Sequence, residues 1–171
     1  MVRPGLLVAL ILLIVPLCVM LFKPAAKAGP NTITVNTTDD PGTSSECSLH
    51  GAIENANSKS TNSDNDCVAG TGNDLIVFSG VTAPITLSGS LPAIANTLTI
   101  DGGQKITVDG AGSYQVLAVN SGATLNLNDI TIANGDNSSG DGGGVFNVGT
   151  LNVTDSSFPG QQRVGRRGRH R

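Results

Sequence analysis

The sequence predicts an all-β fold: a right-handed parallel β-helix (a solenoid) with a short N-terminal capping helix, preceded by a signal peptide. Three observations predict it. Short apolar alternations repeat with a period of 26–27 residues. A single helical face occurs near residue 50, and an uncharged apolar run opens the chain.

The repeat is the strongest of the three. Thr97-Leu98-Thr99-Ile100 returns as Thr124-Leu125-Asn126-Leu127 and as Thr150-Leu151-Asn152-Val153, at spacings of 27 and 26 residues. The last two copies agree over residues 119–129 and 146–155, with one gap at Ala123. A fixed period containing several short strands means that each repeat forms one coil and pairs in parallel with the next, about 4.8 Å away. Alternate residues then fill the bore, while Gly and Asn take corners where φ turns positive. The expected strand cores are residues 31–35, 75–78, 85–87, 98–100, 106–108, 116–119, 125–127, 130–132, 145–146 and 151–153, enough for four or five coils. A β-sandwich is the competing architecture, but it shows hairpin turns and no fixed period.

The capping helix is expected over residues 48–57. Leu49, Ala52, Ile53 and Ala56 fall at i, i+3, i+4 and i+7, which is one helical face, and Ser48 suits the N-cap. Polar loops flank it at residues 37–45 and 58–73. Cys47 and Cys67 bracket the helix and are expected to form a disulfide, as an even cysteine count in an exported chain suggests. Zinc is the alternative, but the two thiols with His50 leave such a site one ligand short. His50 itself, beside the apolar face, is expected at the surface.

The N-terminal segment has the layout of an export signal. Arg3 supplies the positive start, residues 6–22 are apolar with a single Pro16, and Ala26-Lys27-Ala28 is a small-x-small pattern. Cleavage is expected between Ala28 and Gly29. An uncleaved anchor is the alternative, although a run of 17 residues is at the short edge of a membrane span. The expected organisation is therefore a signal peptide at 1–28, a cap with its disulfide loop at 29–73, coils at 74–158 and a basic tail at 159–171.

Charge narrows the function classes. All 13 acidic residues lie between Asp39 and Asp155, where Lys59 and Lys105 are the only Lys or Arg residues, giving a formal −11. Such a body repels nucleic acid and anionic lipid, so no nucleic-acid partner is expected, and membrane contact is expected only through an uncleaved N-terminal segment. The body contains no Arg, and its two lysines are far apart, so the basic residue of lyase chemistry has no candidate. Paired carboxylates for inverting glycoside hydrolysis are also missing: Asp39-Asp40 precedes the coils, and Asp101, Asp109, Asp129 and Asp155 sit at strand ends, where turn Asp is ordinary. The acidic loops at 62–66 and 136–141 lack the ligand spacing of calcium loops. No catalytic residue, metal or cofactor is expected.

Cys47-Ser48-Leu49-His50-Gly51-Ala52-Ile53, followed by Ala56-Asn57, resembles the bacterial CSLREA-type N-terminal domain, with His50-Gly51 where that family has Arg-Glu. Leu98-Thr99-Ile100-Asp101-Gly102, Ile130-Thr131-Ile132-Ala133-Asn134-Gly135, Gly142-Gly143-Gly144-Val145-Phe146-Asn147 and residues 151–158 resemble the repeats of polymorphic outer-membrane proteins. The resemblance covers residues 32–158 and implies a secreted or surface-displayed β-helix, adhesin-like or stalk-like, without implying an activity. Parallel β-helices also include pectate-lyase-like folds, so a polysaccharide-binding or polysaccharide-degrading protein is the second expectation, with cell-surface or extracellular polysaccharide as partner.

After Phe158 the repeat pattern stops, and Arg163, Arg166, Arg167, Arg169 and Arg171 crowd the end. Written in GC-rich codons and shifted by one base, the segment from Pro159 encodes Arg-Ala-Asn-Ser-Ala and a run of glycines, the continuation that such repeats have. A frameshift, leaving a truncated fragment of a larger protein, is therefore expected. A basic nucleic-acid-binding or lipid-binding tail is the competing explanation.

Overall fold

The computed structural model describes residues 29–62, 64–137, 140 and 142–162. The expected signal segment at 1–28 and the arginines from Arg163 onward lie outside the described residues, as does Ala28 of the expected cleavage site.

The chain is a parallel β-solenoid of about three turns. Its elements are β1 (Asn31–Val35), α1 (Leu49–Ser58), β2 (Asn73–Phe78), β3 (Ile85–Thr86), β4 (Thr97–Asp109), β5 (Leu117–Val119), β6 (Thr124–Ala133), β7 (Val145–Asn147) and β8 (Thr150–Thr154). One sheet runs in the order β1-β2-β4-β6-β8, with β3 against β4, and a second pairs β5 with β7. Every ladder between these strands is parallel, as a coil stacked on its predecessor requires.

The register follows the repeat. Thr97, Thr124 and Thr150 are aligned, as are Leu98, Leu125 and Leu151. The bore column Ile33, Ile76, Ile100, Leu127 and Val153 runs through all five strands. Its first four members are at most 1% exposed. A second apolar column joins Ile85, Val108 and Ile132.

The turn count is lower than four or five because the first pass is not a full coil. Between β1 and β2 the chain leaves the solenoid path to build α1 and its loop. Three intervals, β2 to β4, β4 to β6 and β6 to β8, are true turns. The strand pairs expected at 98–100 with 106–108, and at 125–127 with 130–132, each fuse into one bent strand. In β4 the bend is a bulge: Asp101 and Ile106 align with Asn128 and Ile130, so residues 102–105 oppose Asp129 alone. The left-handed φ of Gly103 (56°), Gln104 (62°) and Asp129 (50°) turns the chain there. Asp155, one coil after Asp129, repeats the conformation at φ 47°.

Residues 159–162, grouped with the tail on sequence grounds, follow the preceding coil. Asn134 N donates to Pro159 O at 3.1 Å, and Gln162 N donates to Gly135 O at 2.8 Å. Gly135 N donates to the Gln161 side chain at 3.0 Å.

Candidate functional site

The cap is where polar side chains, loops and a concave surface meet. Ser48 opens α1 as expected, accepting from Gly51 N at 3.1 Å. Its hydroxyl also donates to the Pro41 carbonyl, tying the loop after β1 to the helix. The helix ends at Lys59, whose left-handed φ of 59° lets its N–H donate to Asn55 O. Leu49, Ala52, Ile53 and Ala56 are all buried, so the face read from the sequence is the face that packs. α1 lies against β1 and β2 and closes that end of the bore.

Cys47 and Cys67 form the expected disulfide, with Cα atoms 4.6 Å apart. Both residues are buried. The loop from α1 to β2 is also held by Asn55, which is fully buried. Its amide donates to Cys67 O at 2.9 Å, to Val68 O at 3.2 Å and to the Asn65 side chain at 3.2 Å. Gly70 presses on the helix so closely that a Cβ there would lie 2.3 Å from Asn55 O. Asp74 completes the loop: its buried carboxylate accepts from Thr71 N and Gly72 N, both at 2.9 Å, and from the Thr71 hydroxyl at 3.1 Å.

His50 is partly exposed at the edge of α1. Its side chain is 25% exposed and is bracketed by two carboxylates, with Nδ1 3.5 Å from Asp40 Oδ1 and Nε2 3.5 Å from Glu54 Oε1. Both distances exceed ordinary hydrogen-bond length. The Asp40 side chain is 2% exposed. One of its oxygens accepts from Ser88 N at 3.0 Å, and Oδ1 has no hydrogen-bond partner. The His50–Glu54 pair was legible as an i,i+4 spacing. Asp40 was not, because the loop that returns it to the helix is set by tertiary contacts with Ser48 and Ser88.

Two concavities share this helix. An open groove of about 850 Å³ is lined by Glu54, Asn57, Ser58, Thr61, Asn62 and Pro92, among others. A smaller one of about 320 Å³ lies between Pro41, His50, Glu54, Asn62 and Asp64. Their linings carry hydroxyl, amide and carboxylate groups and the His50 imidazole, with no Phe, Tyr or Trp, the chemistry of hydrogen-bonding to a polar, neutral or cationic ligand. Among the described residues, no three His, Cys, Asp or Glu side chains form a group that could hold a metal ion.

The strand-end carboxylates are engaged in corners. Asp101 accepts from Gly103 N at 3.0 Å, and Asp109 from Ala111 N at 2.8 Å and from the Asn134 amide at 3.0 Å. Asp129 accepts from the Gln104 amide at 3.1 Å. On the outer face of the coils, Asn126 donates to the Thr99 hydroxyl at 3.1 Å and Asn152 donates to Asn126 at 2.8 Å. This amide ladder runs along the solenoid axis beside the aligned threonines 97, 124 and 150. Among the described residues, no helix is long and apolar enough to cross a membrane.

The chain matches no family model, no curated protein and no solved structure.

Proposed function

We propose that this chain is a non-catalytic secreted or surface-displayed β-solenoid module, adhesin-like or stalk-like, built from a CSLREA-type cap and repeats of the polymorphic outer-membrane-protein type. The observation that carries this reading is the outer face of β4, β6 and β8. It presents aligned columns of Thr and Asn: Thr97, Thr124 and Thr150 in one, Thr99, Asn126 and Asn152 in the next. A neutral, hydrogen-bonding surface supported by a buried apolar bore suits contact or spacing more than bond cleavage. Export of such a module rests on the apolar segment at residues 6–22 and on Ala28-Gly29.

The experiment is fractionation of cells producing the chain, followed by N-terminal sequencing and protease shaving of intact cells. Product in the medium or on the surface that begins at Gly29 supports the proposal. Product retained in the cytoplasm with Met1 intact sinks it.

A second reading, polysaccharide binding, is favoured by the open groove beside α1, whose hydroxyl and amide lining matches sugar hydroxyls. Co-sedimentation with insoluble polysaccharides tests it. Binding that falls after Asn62→Ala or Glu54→Gln places the sugar in this groove. Turnover of the polymer would favour the degrading, lyase-like alternative over a passive module.

A further inference from the structure

The two concavities at the cap meet at Glu54 and Asn62, which line both. Carboxylates gather around the smaller one. Glu54 and Asp64 line it, and Asp40 stands behind His50 with its side chain 2% exposed. Asp40 Oδ1 is buried, makes no hydrogen bond and faces the His50 imidazole in the wall of the concavity. A neutral imidazole carries one N–H, so His50 cannot donate to Asp40 and Glu54 together. Among the described residues, no Lys or Arg lines either concavity. Lys59, the only Lys or Arg between residues 29 and 73, lies against Gly72, where an added Cβ would sit 2.6 Å from Lys59 Cε. The cap supplies negative charge here without the cation that would balance it.

A cation with several N–H donors fits that need. Close carboxylates favour the charged form of an amine, and an ammonium has three N–H donors to share among them. A coordinated metal ion fits less well, because no three His, Cys, Asp or Glu side chains among the described residues form a ligand group. The larger groove indicates what carries the amine. Beside Glu54 its wall is Asn57, Ser58, Ser60, Thr61 and Asn62, with Pro92 the only apolar side chain. Such hydroxyls and amides pair with sugar hydroxyls, whereas an apolar peptide side chain finds no pocket there. The formal −11 of the body draws a cationic polymer toward it.

We infer that the cap binds a polysaccharide of amino sugars with free amino groups. Ring hydroxyls lie in the larger groove, and one ammonium enters the smaller concavity between Glu54 and Asp64. His50, relieved of Glu54, then gives its one N–H to Asp40 Oδ1. This inference rests on the polysaccharide-binding reading above and names the class of sugar.

Isothermal titration calorimetry of the full chain tests it with three probes: β-linked hexamers of glucosamine, of N-acetylglucosamine and of glucose. The glucosamine hexamer is expected to bind at least about tenfold more tightly than the other two, a difference of about 1.4 kcal/mol. Glu54→Gln keeps an acceptor for the Asn62 amide and abolishes the preference. Asp155→Asn removes one exposed carboxylate at the far end of the solenoid and leaves the preference intact. In the unsubstituted chain, the glucosamine hexamer shifts the backbone amide resonances of His50, Glu54 and Asn62, which decides the location even if a variant fails to fold. Equal binding of all three hexamers overturns the amine inference and leaves polysaccharide binding standing. Binding of none overturns both. A preference that survives Glu54→Gln, or falls equally in Asp155→Asn, traces to the charge of the whole body and overturns the site.

Discussion

Asn55 shows how one polar residue secures a loop from inside the core. Three acceptors converge on its amide, two of them backbone carbonyls of the cysteine loop. Truncation leaves the buried Cys67 carbonyl without this donor. Asn55→Ala is therefore expected to cost about 1–3 kcal/mol, measured by urea unfolding of the otherwise native chain. Ala111 presents the opposite case, a side chain at φ 54° where L-residues are strained. Ala111→Gly is expected to stabilise the fold by about 0.5–1 kcal/mol, because the relief of the left-handed penalty exceeds the added chain entropy. Ser48 was legible from sequence because a cap acts within one turn. The burial of Asp40 against His50 was not, since it depends on Pro41 meeting Ser48 and on Ser88 arriving from the next coil.

Among the elements, α1 and its loop form the least periodic part of the molecule, and the disulfide is the covalent constraint on it. It closes a segment with a sequence separation of 20. In the chain-entropy model, removing it with Cys47→Ser and Cys67→Ser costs roughly 3 kcal/mol. Thermal unfolding measures that loss, and hydrogen exchange is expected to locate it first at residues 59–72 and the amides of α1. The strands behaved differently from the segments read in isolation. Residues 98–100 and 106–108 each satisfy a two-residue period, but the intervening Gly102 and Gly103 allow a bulge instead of a break. Glycines signal both turns and bulges, and the neighbouring coil decides between them. At Gly102 a Cβ would lie 2.7 Å from Asp129 O, so the close approach of β6 fixes this bulge.

Over the whole molecule, stability is expected to fall along the axis toward the distal rung. Leu127 has coils on both sides and is fully buried, whereas Val153, next in the same column, is 45% exposed. Leu127→Ala is expected to cost about 2–5 kcal/mol through lost transfer energy and a cavity. Val153→Ala is expected to cost below about 1 kcal/mol, because little apolar area is withdrawn from water there. Denaturant unfolding of the two variants at low protein concentration checks the gradient. A solenoid is stabilised by nearest-neighbour contacts between coils.

The 26–27-residue period, the face of α1 and the pairing of two cysteines were determined by sequence alone, because each rests on local chemistry or on a pattern that repeats itself. Thr97, Thr124 and Thr150 could be aligned on paper and are aligned in the sheet. Tertiary structure decided what depends on distant segments meeting. The number of full turns followed from α1 displacing the first coil. The carboxylates bracketing His50 and the polar groove beside it arose where loops 37–45 and 58–73 close over the helix. Leu127 and Val153 share one column and one alternation, yet the first is buried and the second 45% exposed, because an interior position is interior only where neighbouring coils cover it.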